Sequence, residues 1–178
     1  MAHQLSAEAW LRQGLKTLAK SGFTALKAEP LAKAMGVSRG SFYWHFADIG
    51  VYRAAILKHW RDVATEQVIA DLEVASKDRD ALALLLRRAF SSTPALENAV
   101  RTWATVDPAA RAAVQAIDLR RLGYIETLFR QSGLSAEVAH ARAQILYWAF
   151  AGFALSDRPL PPARLAVVLD ELLRMASR

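Results

Sequence analysis

Apolar residues recur at helical spacing along almost the whole chain, and β-branched residues nowhere form an alternating run. A period near 3.6 with abundant Ala and Leu predicts an all-α fold, and no segment reads as a strand. A first helix fits Ala7 to about Lys20, with Ser6 as its N-cap. Trp10, Leu11, Leu15 and Leu18 form its apolar stripe, Arg12, Lys16 and Lys20 lie on its exposed face, and Gly22 terminates it. A short second helix runs from Ala28 to Met35, with Glu29 and Pro30 in its first turn, and Gly36 breaks it. Ser38 is placed to cap a third short helix reaching about His45, in which Phe42 and Phe46, four apart, share a face toward Leu31 and Met35. A long fourth helix, Asp48 to Val74, leaves this head.

Further along, breaks at Ala75-Ser76-Lys77, Ser91-Ser92-Thr93-Pro94, Val106-Asp107-Pro108, Gln131-Ser132-Gly133 and Asp157 to Pro162 separate helix-length segments. Thr93-Pro94 and Asp107-Pro108 each set a capping side chain before a proline at the first helical position. Helices are therefore expected near residues 78–90, 94–104, 108–131, 135–155 and 162–176. The architecture predicted is about nine helices: a three-helix head over residues 1–48 and a helical bundle over residues 49–178.

With 178 residues, 53% of them hydrophobic and 22% charged, the chain can bury a sizeable core and lacks the signature of disorder. It contains no Cys, so disulfides, thiolate metal sites and cysteine nucleophiles are excluded, and nothing marks an oxidising compartment. No stretch approaches the roughly 18 apolar residues of a membrane span, and the first residues lack the order of a secretory signal. A cytoplasmic protein without membrane association is expected. The formal charge is +6, unevenly spread: residues 1–60 hold eight basic and three acidic side chains, and residues 61–178 hold fifteen and fourteen. A basic head on a near-neutral body suits a polyanion, and charge alone leaves chance clustering equally open.

The segment from Leu31 to Phe46 has the form of a helix-turn-helix. Leu31, Met35, Val37 and Phe42 supply a small core that sets the angle between the helices, and Gly36 permits the tight reversal. Ser38, Gly40 and Ser41 are small enough for the second helix to approach a groove edge, and Arg39 can hold a guanine or a phosphate. Tyr43, Trp44 and His45 follow where that helix meets the DNA backbone, and three aromatic side chains in a row cannot all point inward.

These residues resemble the tetracycline-repressor (TetR) family of regulators. The resemblance rests on Leu31-Ala32, Gly36-Val37-Ser38 and Gly40-Ser41-Phe42-Tyr43-Trp44-His45-Phe46, in the family's order and spacing, and it covers about residues 7–57. It implies a homodimer on a palindromic operator in double-stranded DNA. Phosphate contacts would come from Lys27, Tyr43 and His45, and base contacts from Ser38, Arg39, Gly40, Ser41 and Trp44. The chain departs from the family at two phosphate-touching positions. Lys27 stands where Thr or Ser is usual, exchanging a capping hydroxyl for a cation, and Ile49 stands where Lys is usual and offers no donor. Glu29 either accepts from a cytosine or stabilises the N-terminus of its own helix.

Trp60, Trp103, Tyr124, Tyr147, Trp148, Phe150 and Phe153 give the body a heavy aromatic load, most of it expected in the core. The resemblance implies a pocket for a small apolar or aromatic effector, with Trp60, Arg101, Trp103, Tyr124 and Tyr147 as candidate contacts; ligand binding would tilt the fourth helix and release the DNA. The run Ile145 to Leu155 is apolar on every face. With Ala149, Ala151 and Gly152 allowing close approach, it predicts a two-fold interface through the last two helices, shared with Leu165, Val168, Leu169 and Leu172. His59, Asp62 and Glu66 share a helix face that reads as solvated ion pairs rather than a metal site. No nucleophile-elbow, His-Glu-x-x-His or phosphate-loop pattern occurs, so neither an enzyme nor a cofactor is expected. A DNA-binding dimer whose filled bundle takes no effector is the alternative.

Overall fold

The computed structural model describes residues 5–75, 80–91, 94–156 and 160–177. Among the described residues every regular element is helical, as the periodicity requires: α1 (Ala7–Ser21), a 3-10 turn (Phe23–Ala25), α2 (Ala28–Ala34), α3 (Arg39–Tyr43), α4 (Ile49–Arg61), a π-helical turn (Asp62–Glu66), α5 (Gln67–Ala75), α6 (Ala81–Ser91), α7 (Ala95–Ala104), α8 (Pro108–Gln131), α9 (Ala136–Leu155) and α10 (Pro162–Ser177). No helix among them is long and apolar enough to cross a membrane.

Local chemistry sets most of these boundaries. The Ser6 hydroxyl accepts from the Ala9 amide at 3.2 Å, and α1 ends where Gly22 takes φ 74°, a conformation that a Cβ would strain. Asp48 caps α4 through the Val51 amide at 2.8 Å, and Asp107 caps α8 through the Ala110 amide at 2.9 Å, directly before Pro108. Three expectations need correction. Ser38 occupies the N-cap position of α3, but its side chain makes no capping hydrogen bond, and α3 stops at Tyr43 rather than His45. The long fourth helix is interrupted over Asp62–Glu66, where the backbone widens to π geometry. One residue slipped into the hydrogen-bond ladder leaves the sequence period almost intact, so periodicity does not announce it. The expected breaks at Ser76, Lys77, Ser92, Asp157 and Arg158, and the Thr93 cap, lie outside the described residues.

The chain forms two compact units. The first comprises Met1–Ala64 and Ala95–Ala116 and so contains α1 to α4, α7 and the start of α8. Its core is aromatic: Trp10 meets Phe42 edge-on at 5.4 Å, Tyr52 meets Phe42 at 5.1 Å and Phe46 at 4.8 Å, and Phe23 stacks on Trp103 at 5.8 Å. Leu31 and Phe42 are buried as expected, whereas Met35 and Val37 are only half-buried, because α1 and α4 supply Trp10 and Tyr52 to that core instead.

The second unit comprises Thr65–Pro94 and Ile117–Arg178. Its main core joins Leu86 and Phe90 of α6, Ile125 and Phe129 of α8, Ala143, Leu146 and Tyr147 of α9, and Leu169 of α10. A smaller cluster gathers Tyr124 with Ile69 and Leu72 of α5. Leu165, Leu169 and Leu172, expected at a contact with a second copy, pack into this core; their spacing of three and four places them on the inner stripe of an amphipathic α10. The outward faces carry Val138, Ile145, Trp148 and Leu155 on α9 and Val167, Val168 and Met175 on α10, all exposed.

Candidate DNA-binding surface

Helix α2 ends at Ala34, and Gly36, at φ 68°, turns the chain so that Val37 and Ser38 lead directly into α3. The reversal requires the left-handed conformation at that point, which is why glycine stands there. Phe42, fully buried, points α3's apolar side inward and leaves the rest of the five-residue helix facing outward. Ser38, Arg39 and Gly40 are exposed and Ser41 is half-buried. Tyr43 is 46% and Trp44 80% exposed, so two large rings stand side by side on this surface.

The side chains on this surface are ordered against one another. Arg39 Nη2 donates to the Tyr43 hydroxyl at 3.2 Å, and the guanidinium lies 5.5 Å from the centre of the Tyr43 ring. The Tyr43 hydrogen bond, with a smaller contribution from the charge of Glu29, raises the guanidinium pKa above its ordinary value. Glu29 sits in the first turn of α2, where it also complements the helix dipole. Lys27, the N-cap of α2, makes no side-chain capping bond and is exposed. Ile49 begins α4 half-buried. His45 is half-buried as well, and its Nε2 lies 2.6 Å from the Leu5 carbonyl oxygen. The eight expected contact residues thus share one segment of the first unit, with His45 already engaged to the protein.

The five residues expected at an effector fall in different units. Trp60, Arg101 and Trp103 belong to the first, where both tryptophans are buried and Arg101 Nε pairs with Glu97 at 2.9 Å. Tyr124 and Tyr147 belong to the second and are also buried; burial pushes the Tyr124 hydroxyl pKa up, and the Tyr147 hydroxyl donates to Asp118 at 2.5 Å. An open pocket of about 340 Å³ in the first unit is lined by Leu18, Gly22 and Phe23 and by Asn98, Ala99 and Thr102 of α7, with none of the five among its walls. In the second unit Arg121 Nε donates to buried Thr65 at 3.0 Å, and its guanidinium lies 5.5 Å from the Phe150 ring centre. Sequence reasoning passed over Asp118 and Arg121. Their signal was a charged pair three apart on α8 beside apolar Ile117, Leu122 and Ile125. Asp62 pairs with Lys58 at 2.8 Å and Glu66 with Arg120 at 3.3 Å, so the acids near His59 serve ion pairs.

The comparisons with known proteins agree with this geometry. The family described as bacterial regulatory proteins, tetR family, matches residues 11–49, the stretch from the middle of α1 to the first residue of α4. No curated protein matches the chain. Among solved structures, a transcriptional regulator from Rhodococcus sp. Rha1 superposes with a TM-score of 0.72 at 20% identity, covering 97% of this chain and 96% of that one. Reduced NemR from E. coli gives 0.71 at 19% identity, covering 96% and 94%. A regulator from Saccharomonospora viridis solved with choline gives 0.69 at 16% identity, covering 94% and 95%. At these identities the likeness is one of fold over nearly the full length. The matched residues contain the whole helix-turn-helix described above, and over that stretch the chain is similar to the tetR family of bacterial regulatory proteins.

Proposed function

We propose that the protein is a ligand-responsive repressor that binds a palindromic operator as a homodimer, with residues 1–48 as its DNA-binding domain and residues 49–178 for effector binding and dimerisation. The observation that carries the reading is the outward surface of α3, where Arg39, Tyr43 and an 80% exposed Trp44 stand together. Phosphate contacts from Lys27 and Tyr43 position the head, while Ser38 to Ser41 and Trp44 read bases in the major groove. Two heads reach successive grooves about 34–36 Å apart when the chains pair by a two-fold axis. The exposed apolar faces of α9 and α10 support that pairing, since a monomer gains nothing by leaving Ile145, Trp148 and Val167 in water. The effector is a small apolar or aromatic molecule, and Trp60, Arg101, Trp103, Tyr124 and Tyr147 are its candidate contacts, each to be tested singly.

Selection of duplexes from a random pool tests the DNA reading. A palindromic consensus is expected, and Arg39→Ala should weaken binding to it by roughly five- to a hundredfold. Arg39→Ala retaining wild-type affinity for specific DNA contradicts the surface assigned here. The alternative, a DNA-binding dimer that takes no effector, draws support from the complete burial of Trp60 and Trp103 and from the hydrogen bond that already occupies Tyr147. Thermal denaturation with a panel of lipophilic compounds separates the two: a compound that raises Tm and also releases the operator supports the repressor, and no shift from any compound supports the filled dimer.

A further inference from the structure

His45 directly follows Trp44, the C-cap of α3, and its Nε2 lies 2.6 Å from the backbone oxygen of Leu5. A carbonyl oxygen only accepts, so Nε2 carries the proton and donates. The outer ring nitrogen is therefore committed to the protein's own backbone. The contact belongs to a larger fastening of the start of α1. Ser6, next to Leu5, caps that helix through the Ala9 amide. Trp10, one turn on, meets Phe42 of α3 edge-on, and its carbonyl accepts from buried Tyr52 Oη of α4 at 2.8 Å.

Helix α3 has five residues and no side-chain cap at its start. One turn and a half of helix has no stability of its own in water, so its direction is set by what tertiary contacts hold. Phe42 and Phe46 hold it from the core side, both buried. At its exit the hydrogen bond from His45 to Leu5 is the polar tie, and Trp44 projects into solvent between Tyr43 and His45.

We propose that His45 is a positioning residue of the DNA-binding surface: through the Leu5 carbonyl it locks the end of the recognition helix to the start of α1, aims Trp44 and Tyr43 at the duplex, and makes no phosphate contact itself. The assignment rests on the DNA reading of this surface and replaces the direct contact expected for His45.

The test uses the full chain, a duplex recovered by selection with the wild type, and a set of that duplex carrying one neutral methylphosphonate at each position in turn. His45→Ala should weaken binding by the folded protein about three- to tenfold, the scale of one hydrogen bond. That loss should add independently to the loss from every methylphosphonate except at the phosphate held by Tyr43, which Tyr43→Phe identifies by its own coupling and on which His45 acts through Tyr43. His45→Gln, whose amide N–H can still reach the Leu5 oxygen, should recover most of the affinity. Losses that fail to add at any other phosphate mark a direct contact and overturn the proposal, as does unchanged affinity in His45→Ala. If His45→Ala fails to fold, His45→Gln decides: near-wild-type affinity with additive losses supports the tie, and coupling to a phosphate other than the one held by Tyr43 overturns it. A wild-type chain that retains no duplex from the pool overturns the DNA reading itself, before any variant is made.

Discussion

Gly14 is buried in the middle of α1, and a Cβ built there would overlap Tyr52 Oη and Ile56 Cδ1 of α4. A mid-helix glycine costs about 1 kcal/mol in helix propensity, so its presence is explained by the close approach of α4 rather than by α1 itself. Gly14→Ala should therefore destabilise the protein by about 1–3 kcal/mol despite its better propensity, through overpacking. A urea midpoint equal to or above that of the wild type would show that α4 can yield. Tyr52 tells the same story from the other side. Burial pushes its phenol pKa up, and the hydroxyl donates to the Trp10 carbonyl. Tyr52→Phe removes the second hydrogen bond to that carbonyl, which keeps its helical one, and should cost about 0.5–1.5 kcal/mol, read from the same denaturation curves. In the sequence Gly14 reads as a weak point and Tyr52 as one aromatic among many; their meaning lies in the partner that the fold brings to each.

Among elements, five scaffold helices carry a side-chain cap that the DNA-binding pair lacks. Helices α1, α4, α6, α8 and α9 each have an N-cap side chain accepting from the amide three residues on, at Ser6, Asp48, Asp80, Asp107 and Ser135. Helices α2 and α3 have none, so their ends depend on packing. Asp107 shows the energetics most directly, since the Ala110 amide, ahead of the other contributors, holds its carboxyl pKa below the ordinary value of 3.8. A carboxyl depressed in the folded state stabilises fully above its unfolded pKa, and that contribution disappears as pH falls through the lower folded value. Asp107→Ala should lose about 1 kcal/mol at pH 7, and the gap to the wild type should close in strong acid. Urea midpoints at neutral and acidic pH check this, and a gap that stays constant would deny the cap its role. The starts of these helices were mostly legible from Ser or Asp before an apolar period. The π-helical turn was not, because it shifts the ladder by one residue without altering composition.

For the whole molecule, the uneven charge and the exposed apolar faces lead to two measurable outcomes. With its excess of basic side chains in residues 1–60, operator affinity should fall with salt by a slope of about −0.9 for each phosphate contacted. A slope near zero in binding titrations between low and moderate salt would mean that the head does not grip the DNA backbone. On α9, Trp148 is 65% exposed among Val138, Ile145 and Leu155. A charge there should split a dimer while leaving the inward core of Leu146 and Tyr147 in place. Trp148→Glu is expected to sediment as a monomer with unchanged helical circular dichroism and weakened operator binding. A variant that remains dimeric would move the interface elsewhere.

The all-helical class, nearly every helix boundary and the helix-turn-helix were determined by the sequence itself, because periodicity, capping residues and Gly36 act over a few neighbouring residues. The tertiary structure alone decided which stripe of α10 faces the core, that Trp10 and Tyr52 complete the centre under α3, and that His45 turns back to Leu5. Those outcomes depend on pairs of residues far apart in the chain. A local pattern shows that a side chain needs a partner, and only the packed chain supplies which one.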